Sequence, residues 1–459
     1  MDRAAVKLFS ALILIFSLSC SSARIDIGQG SFTSQSHETI REFSEPRISF
    51  EDRTEELVGH AERLIEKNEK EGAVLDQRWY TFKRFGEFQD AIFSASQILF
   101  YGGLEKDVRA HLPKHYTSFV ALEKDQEPGE IRLFSAQRAP AQHDLVIIGQ
   151  NGREVALKTV IRLIYLAGFA DAERQRKYRD KLRSFNKFLK VFLSSRSARQ
   201  EFIRFFAKHG ISSPDTVLIG FIGDTRALLK AQGIHDPELY SDESLRINWF
   251  KNASGRKVLL VSIDHNRIYA SRSGELIEAI FAISGISPPT IVFLGSGGAI
   301  EDPAIVGKIV TPTMVLNGDP FPGVQHKSVL VHLIRNKAIG HSSIKTAHAS
   351  VENVVVETTR WAENMKRDRV RTVDQELFHI MKAVNSKDST QKPQMYVAIL
   401  ITDNVSSNAD VNMDMTLEHA EEAISKTAGI RREFLADILT ELGILEPDEI
   451  RSQKKAIGY

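Results

Sequence analysis

Cysteine is almost absent: the chain of 459 residues has one, Cys20. A single thiol excludes a disulfide framework and any metal site built on several cysteines. An excess of one charge is missing too, with 60 Lys and Arg against 59 Asp and Glu, so the whole chain gives no reason to expect a polyanion partner, and any basic patch is local. No internal repeat and no long low-complexity tract interrupts the sequence. What is present, 42% apolar and 26% charged residues, is material for two or three packed domains of ordinary globular type.

The chain opens on "MDRAAVKLFSALILIFSLSCSSAR", in which Arg3 and Lys7 precede an apolar core from Leu8 to Leu18 and small residues follow. That order predicts an export signal over 1–23, with Ser21 and Ala23 at the positions a signal peptidase reads, and the apolar core is too short for an ordinary transmembrane helix. Cys20 ends the core where a bacterial lipoprotein carries its lipidated cysteine, although Ser17 and Leu18 depart from the usual box. Lipidation stays open, and with it membrane attachment; the expected location is a bacterial envelope, periplasmic or lipid-anchored.

Residues 24–50 are polar and aperiodic, as in a tether. Residues 51–212 predict a mainly helical domain with a small hairpin. Helical spacing runs through "FEDRTEELVGHAERLIEKNEKEG" and "EFQDAIFSASQILFYGG", and two strands are expected between Tyr116 and Ala136, joined through Pro128 and Gly129. From Asp171 to Lys208, 12 Lys or Arg stand against 4 Asp or Glu, interleaved with Phe and Leu. The apolar residues recur at three- and four-residue spacing, which reads as a core-facing helix with solvated charges; a membrane or nucleic-acid surface is the alternative.

Residues 213–446 change texture. "DTVLIGFIG", "KVLLVSID", "TIVFLGSG", "KIVTPTMVL" and "MYVAILITD" are continuous β-branched runs separated by helical segments such as "SGELIEAIFAISG". Continuous runs predict strands covered on both faces, hence a layered α/β domain, and residues 447–459 form a polar tail. Among the strand ends, "GSGGAI" over Gly295–Ile300 predicts a glycine turn. A dinucleotide fingerprint would need glycine where Ile300 stands, and the Gly-Lys-Ser/Thr end of a P-loop is absent. The other strand ends carry "GDTRA" (Gly223, Asp224, Thr225, Arg226), "VRTVDQELFHI" (Asp374, Gln375, Glu376) and "ILITDNVSSNAD" (Asp403), at the edge where such sheets place their chemistry. His326, His332, His341 and His348 lack the spacing of a helical metal pair and read as ordinary polar positions, so no metal is expected.

In motif order and spacing this half of the chain resembles the nucleoside phosphorylase and nucleosidase superfamily: purine nucleoside phosphorylases, uridine phosphorylases and methylthioadenosine/S-adenosylhomocysteine nucleosidases. The resemblance implies a three-layer α/β/α sandwich with a mixed central sheet and a pentosyltransferase or nucleosidase that cleaves an N-glycosidic bond. It implies no cofactor beyond phosphate as a co-substrate, a nucleoside or other small N-ribosyl partner without specific nucleic-acid binding, and a homo-oligomer. By the same resemblance Gly223 and Arg226 match the phosphate-binding turn, and Ser296 with Gly297 the Gly-Ser-x-Gly turn that holds phosphate or water. Glu376 matches the second glutamate of the ribose-binding Glu-Met-Glu motif, with Gln375 in place of its ribose-packing methionine, and Asp403 matches the general acid that protonates the leaving base. The chain departs from the pattern in several places. "GDTRA" is one residue short, Thr225 stands near a nucleosidase glutamate, Phe293 replaces a phosphate-binding arginine and Val354 replaces a base-stacking aromatic. "DHNRIYASRSGEL" replaces the second glycine loop. A catalytically degenerate nucleoside-binding envelope protein is therefore the alternative expectation.

Overall fold

The computed structural model describes residues 43–44, 94–102, 108–109, 112, 116–122, 132–139, 142–149, 189–194, 197–220, 222–231, 238–241, 245–252, 254–263, 271–285, 287–300, 302–318, 344–351, 359–388, 392–404 and 428–445. Among these, the strands form two sheets. The first contains β1 (Phe43–Ser44), β2 (Ile98–Gly102), β3 (Ser118–Ala121), β4 (Arg132–Ala139), β5 (Gln142–Gly149) and β6 (Leu189–Ser194), in the order β1-β6-β2-β5-β4-β3. β2 runs parallel to β5 and β6, and the other pairs are antiparallel.

The two strands expected between Tyr116 and Ala136 are β3 and β4, paired antiparallel, and the connection through Pro128 and Gly129 lies outside the described residues. The expected helices over 51–72 and the start of 87–103 lie outside the described residues, whereas "ILFYG" is β2, fully buried between two neighbours, and not the end of a helix. The described part of this region is thus mainly sheet. A short apolar run suits a covered strand as well as a helix, and here pairing on both edges decides between them. Likewise Leu189 and Phe192 belong to β6, while α1 (Ala198–Lys208) agrees with the helical reading of the basic stretch and residues 171–188 lie outside the described residues. α1 is capped by Ser197, whose hydroxyl accepts from the Gln200 N–H, and it buries Phe202, Phe205 and Phe206.

One polar cluster stands at the end of this sheet. The buried Asp144 carboxylate accepts from the Tyr116 hydroxyl at 2.5 Å and from Arg138 Nε at 2.6 Å. Burial first, and the Asp144 charge second, push the Tyr101 phenol up to about 12, so this tyrosine stays neutral at physiological pH.

The second sheet contains β7 (Thr216–Gly220), β8 (Glu238–Ser241), β9 (Arg246–Lys251), β10 (Lys257–Val261), β11 (Thr290–Ala299), β12 (Ile309–Asn317), β13 (Ile344–Ser350), β14 (Val370–Asp374) and β15 (Met395–Asn404), with helices α2 (Ile222–Ala231), α3 (Ser271–Ser284), α4 (Thr359–Arg367), α5 (Leu377–Asn385) and α6 (Ala428–Glu441). Its order is β14-β13-β12-β15-β11-β7-β10-β9-β8, and it is mixed: β10, β7, β11 and β15 are parallel neighbours, while β9 and β12 flank them antiparallel. Successive side chains alternate between two cores, as the two-residue strand period requires. Val217, Ile219, Leu259, Val261, Ile291 and Phe293 face α1, α3 and α5. Leu218, Val258, Leu260, Val292 and Leu294 face Leu229 of α2 and the apolar side of α6. The result is the expected α/β architecture with helices over both faces of a mixed sheet.

β14 also pairs antiparallel with β11, at Gly298 and Ala299. The strands β11, β14, β13, β12 and β15 therefore close on themselves, and α4 covers the outside of this ring with Trp361, Ala362 and Met365.

Candidate functional site

β11 changes partner along one edge. From Thr290 to Leu294 that edge pairs with β7, and from Gly298 to Ala299 with β14. Among the described residues no strand pairs with it over Gly295–Gly297, so the sheet opens there at the carboxyl ends of its parallel strands. Such crevices are where open α/β sheets bind ligands.

"GSGGA" is not a turn, as its glycines suggest, but the end of β11. The pairing with β15 continues through it, with an irregularity between Gly297 and Gly298. Its glycines answer to packing. A Cβ on Gly297 would stand 2.4 Å from the Val373 carbonyl oxygen, and one on Gly295 would stand 2.9 Å from the Phe293 ring. Local propensity reads glycine as a chain reversal, but here close approach of a second backbone demands it. Ser296 is exposed beside the opening and Gly297 is half-buried. Phe293 is completely buried in the core.

The other expected residues lie on the elements next to β11. β7 ends at Gly220, paired with Leu294, and α2 starts two residues later, so Gly223 and Arg226 lie in its first turns rather than in a loop. Gly223 is exposed. Asp224 serves the packing of helices instead. Its carboxylate accepts from Arg431 Nε at 2.7 Å and from Arg432 Nε at 3.3 Å, which fastens α2 to α6. Arg431 and Asp224 side chains are 7% and 11% exposed, so Arg431→Ala is expected to cost about 3 kcal/mol, the scale of an opened buried pair. Urea unfolding checks this, and an unchanged midpoint would contradict it.

On the opposite edge of β11, Asp403 is the penultimate residue of β15 and the register partner of Gly298. It is thus in a strand, not in the loop after one. β14 diverges from β11 after Val373, and Asp374, Gln375 and Glu376 form the bend into α5. Gln375 is half-buried and Glu376 is buried. The Glu376 backbone is fixed at its carbonyl, which accepts from the Ser273 hydroxyl of α3 at 3.1 Å and from the His379 and Ile380 N–H groups. Thr225 is buried, while Val354 and residues 264–270 lie outside the described residues, as do His326, His332 and His341; the rest of the stretch from Asp264, Ser271–Leu276, opens α3.

His348 is not an ordinary polar position. It is fully buried, with Nδ1 2.8 Å from Thr372 Oγ1 and Nε2 3.0 Å from Asp374 Oδ1, the latter misaligned for a hydrogen bond. Asp374 accepts from the Ser350 hydroxyl at 2.5 Å and from the Leu377 N–H at 3.2 Å, and Ser350 Oγ accepts from the Phe378 N–H at 2.9 Å. Two donors that α5 would otherwise leave unpaired in its first turn are satisfied by side chains of β13 and β14. The signal is present in the sequence: "TAHAS" and "TVD" both place polar residues two apart with small or apolar residues between them.

The backbone thus brings the segments that carry Arg226, Ser296, Glu376 and Asp403 to β11 and its neighbouring elements, with Ser296 exposed and Glu376 buried. No family model matches this chain, and no curated protein matches it. Among solved structures it is similar to isoform 2 of uridine phosphorylase from Schistosoma mansoni in complex with citrate, at 11% identity and a TM-score of 0.37, over 54% of this chain and 91% of that one. It is similar to the 5'-methylthioadenosine/S-adenosyl homocysteine nucleosidase of Campylobacter jejuni at 12% identity and a TM-score of 0.37, over 50% and 99%. A schistosoma purine nucleoside phosphorylase in complex with hypoxanthine is similar at 12% identity and a TM-score of 0.39, over 53% and 98%.

Proposed function

We propose that the opening at the end of β11 holds a nucleoside or related N-ribosyl compound and that the chain cleaves its N-glycosidic bond. The observation that supports this reading is the change of partner along β11: exposed Ser296 lies between the segments paired with β7 and with β14, the elements that lead into α2 and α5, and Asp403 is the register partner of Gly298 on the other edge. Heterolysis of the bond leaves positive charge on the sugar and negative charge on the base. A carboxyl at Asp403 that donates a proton to the base lowers that barrier, and a carboxylate at Glu376 accepts from the ribose hydroxyls and offsets charge developing on the ring.

The attacking group is phosphate or water. Arg226, Ser296 and the exposed N-terminus of α2 at Gly223 support an oxyanion there, since guanidinium and helix N–H groups both donate to phosphate oxygens. Incubating the full chain with a nucleoside panel, with and without phosphate, and reading free base separates the outcomes. Release that needs phosphate identifies a phosphorylase, release without it a nucleosidase, and no release from any nucleoside overturns the reading.

A second reading, ligand binding without turnover, is favoured by Phe293, whose burial removes one expected phosphate contact. Calorimetric binding of a nucleoside without base release would select it. For the first residues we propose export with or without lipid on Cys20; mass spectrometry of the mature protein tests this, and an unprocessed N-terminus would refute it.

A further inference from the structure

We propose that the buried network of His348, Ser350 and Asp374 is the positioning device for the sugar-binding end of the site, setting the preference for a sugar that carries a 2'-hydroxyl. The inference rests on the ribosyl reading above. Its basis is a ladder of two cross-strand pairs: His348 stands level with Thr372 and Ser350 level with Asp374 in the parallel register of β13 and β14. Residues two apart share a face of a strand, so all four project to one side. The intervening Ala349 and Val373 project to the other and pack under α4.

On the polar side the ladder ends at α5. Asp374 and Ser350 take the N–H groups of Leu377 and Phe378, the two residues that follow Glu376. With the carbonyl of Glu376 accepting from Ser273 Oγ, the backbone that follows this side chain is tied to three different elements, β13, β14 and α3. His348 backs Asp374 from the other end. With the proton on Nε2, Nδ1 accepts from the Thr372 hydroxyl and Nε2–H faces the Asp374 carboxyl. None of the three touches the opening, so each acts through Glu376, whose carboxylate must sit within a fraction of an ångström to accept from two adjacent hydroxyls.

The test compares kcat/KM for a ribonucleoside and its 2'-deoxy counterpart. In Ser350→Ala and His348→Phe the ribose preference is expected to fall about tenfold to a hundredfold, mainly through the ribonucleoside. His348→Gln, which keeps a donor toward Asp374, and Ser350→Thr, which keeps the hydroxyl, are expected to restore it. A folded Ser350→Ala or His348→Phe with the wild-type ratio would overturn the proposal, because a merely structural network would change stability and leave the ratio alone. If the wild-type protein neither cleaves nor binds nucleosides, the ribosyl reading has failed instead. Amide exchange at Leu377 and Phe378 in Ser350→Ala then judges the positioning part: faster exchange upholds it and unchanged exchange overturns it.

Discussion

Gly220→Ala is expected to prevent stable folding of the nine-stranded sheet, whereas Gly223→Ala, three residues on, is expected to be tolerated. Gly220 has φ +125° and is paired with Leu294, and a Cβ there would lie 1.8 Å from the Leu294 carbonyl oxygen. The obstacle is backbone in the central strand of the site and has no rotamer to adopt. Relief requires separating β7 from β11, which breaks the core on both faces at once. The loss is expected to exceed about 4 kcal/mol, in the range reserved for strain and overpacking of this kind. A Cβ on Gly223 meets nothing within 4 Å, and in a helix alanine is favoured over glycine by about 1 kcal/mol. Urea midpoints of the two variants check the contrast; a Gly220→Ala protein as stable as wild type would refute it.

Asp403→Asn is expected to lower kcat for base release by about a hundredfold to ten-thousandfold, the usual contribution of one positioned proton donor. The amide is nearly isosteric and leaves the β15 register with Gly298 intact, so KM should change little and the loss should fall on the chemical step. It should also depend on the leaving group. A base that departs readily as an anion needs little protonation and should lose less rate, while a purine should lose most. Equal losses across leaving groups would assign Asp403 to binding rather than proton transfer, and an unchanged rate would remove it from the site.

Sequence and structure agree where one element alone sets the outcome. "TVLIG", "KVLLV" and "MYVAILIT" are strands because continuous β-branched runs bury both faces, and "SRSGELIEAIFAIS" is α3 because its apolar residues share one side. They part where a distant segment decides. Gly295–Gly298 looks like a turn because nothing local announces that Val373 will pass over Gly297. Asp224 looks like part of an oxyanion turn because its partners, Arg431 and Arg432, come more than 200 residues later. His348 looks unremarkable because its partners lie on the next strand of the ring. "ILFYG" reads as the tail of a helix because its strand neighbours β5 and β6 are both far along the chain. The positions of the acidic residues at strand ends are legible; the gap along β11 is not, because it arises from β11 exchanging one neighbour, β7, for another, β14.

That opening can be tested without assuming any reaction. Hydrogen exchange of the full chain with and without a saturating ribonucleoside should show added protection in 294–299, 372–378 and 401–404, and in the first turns of α2. Strands β2, β4 and β5 of the other sheet should not change. Protection confined to that other sheet, or none in the three β11-centred segments while the nucleoside is bound, would contradict the placement of the site.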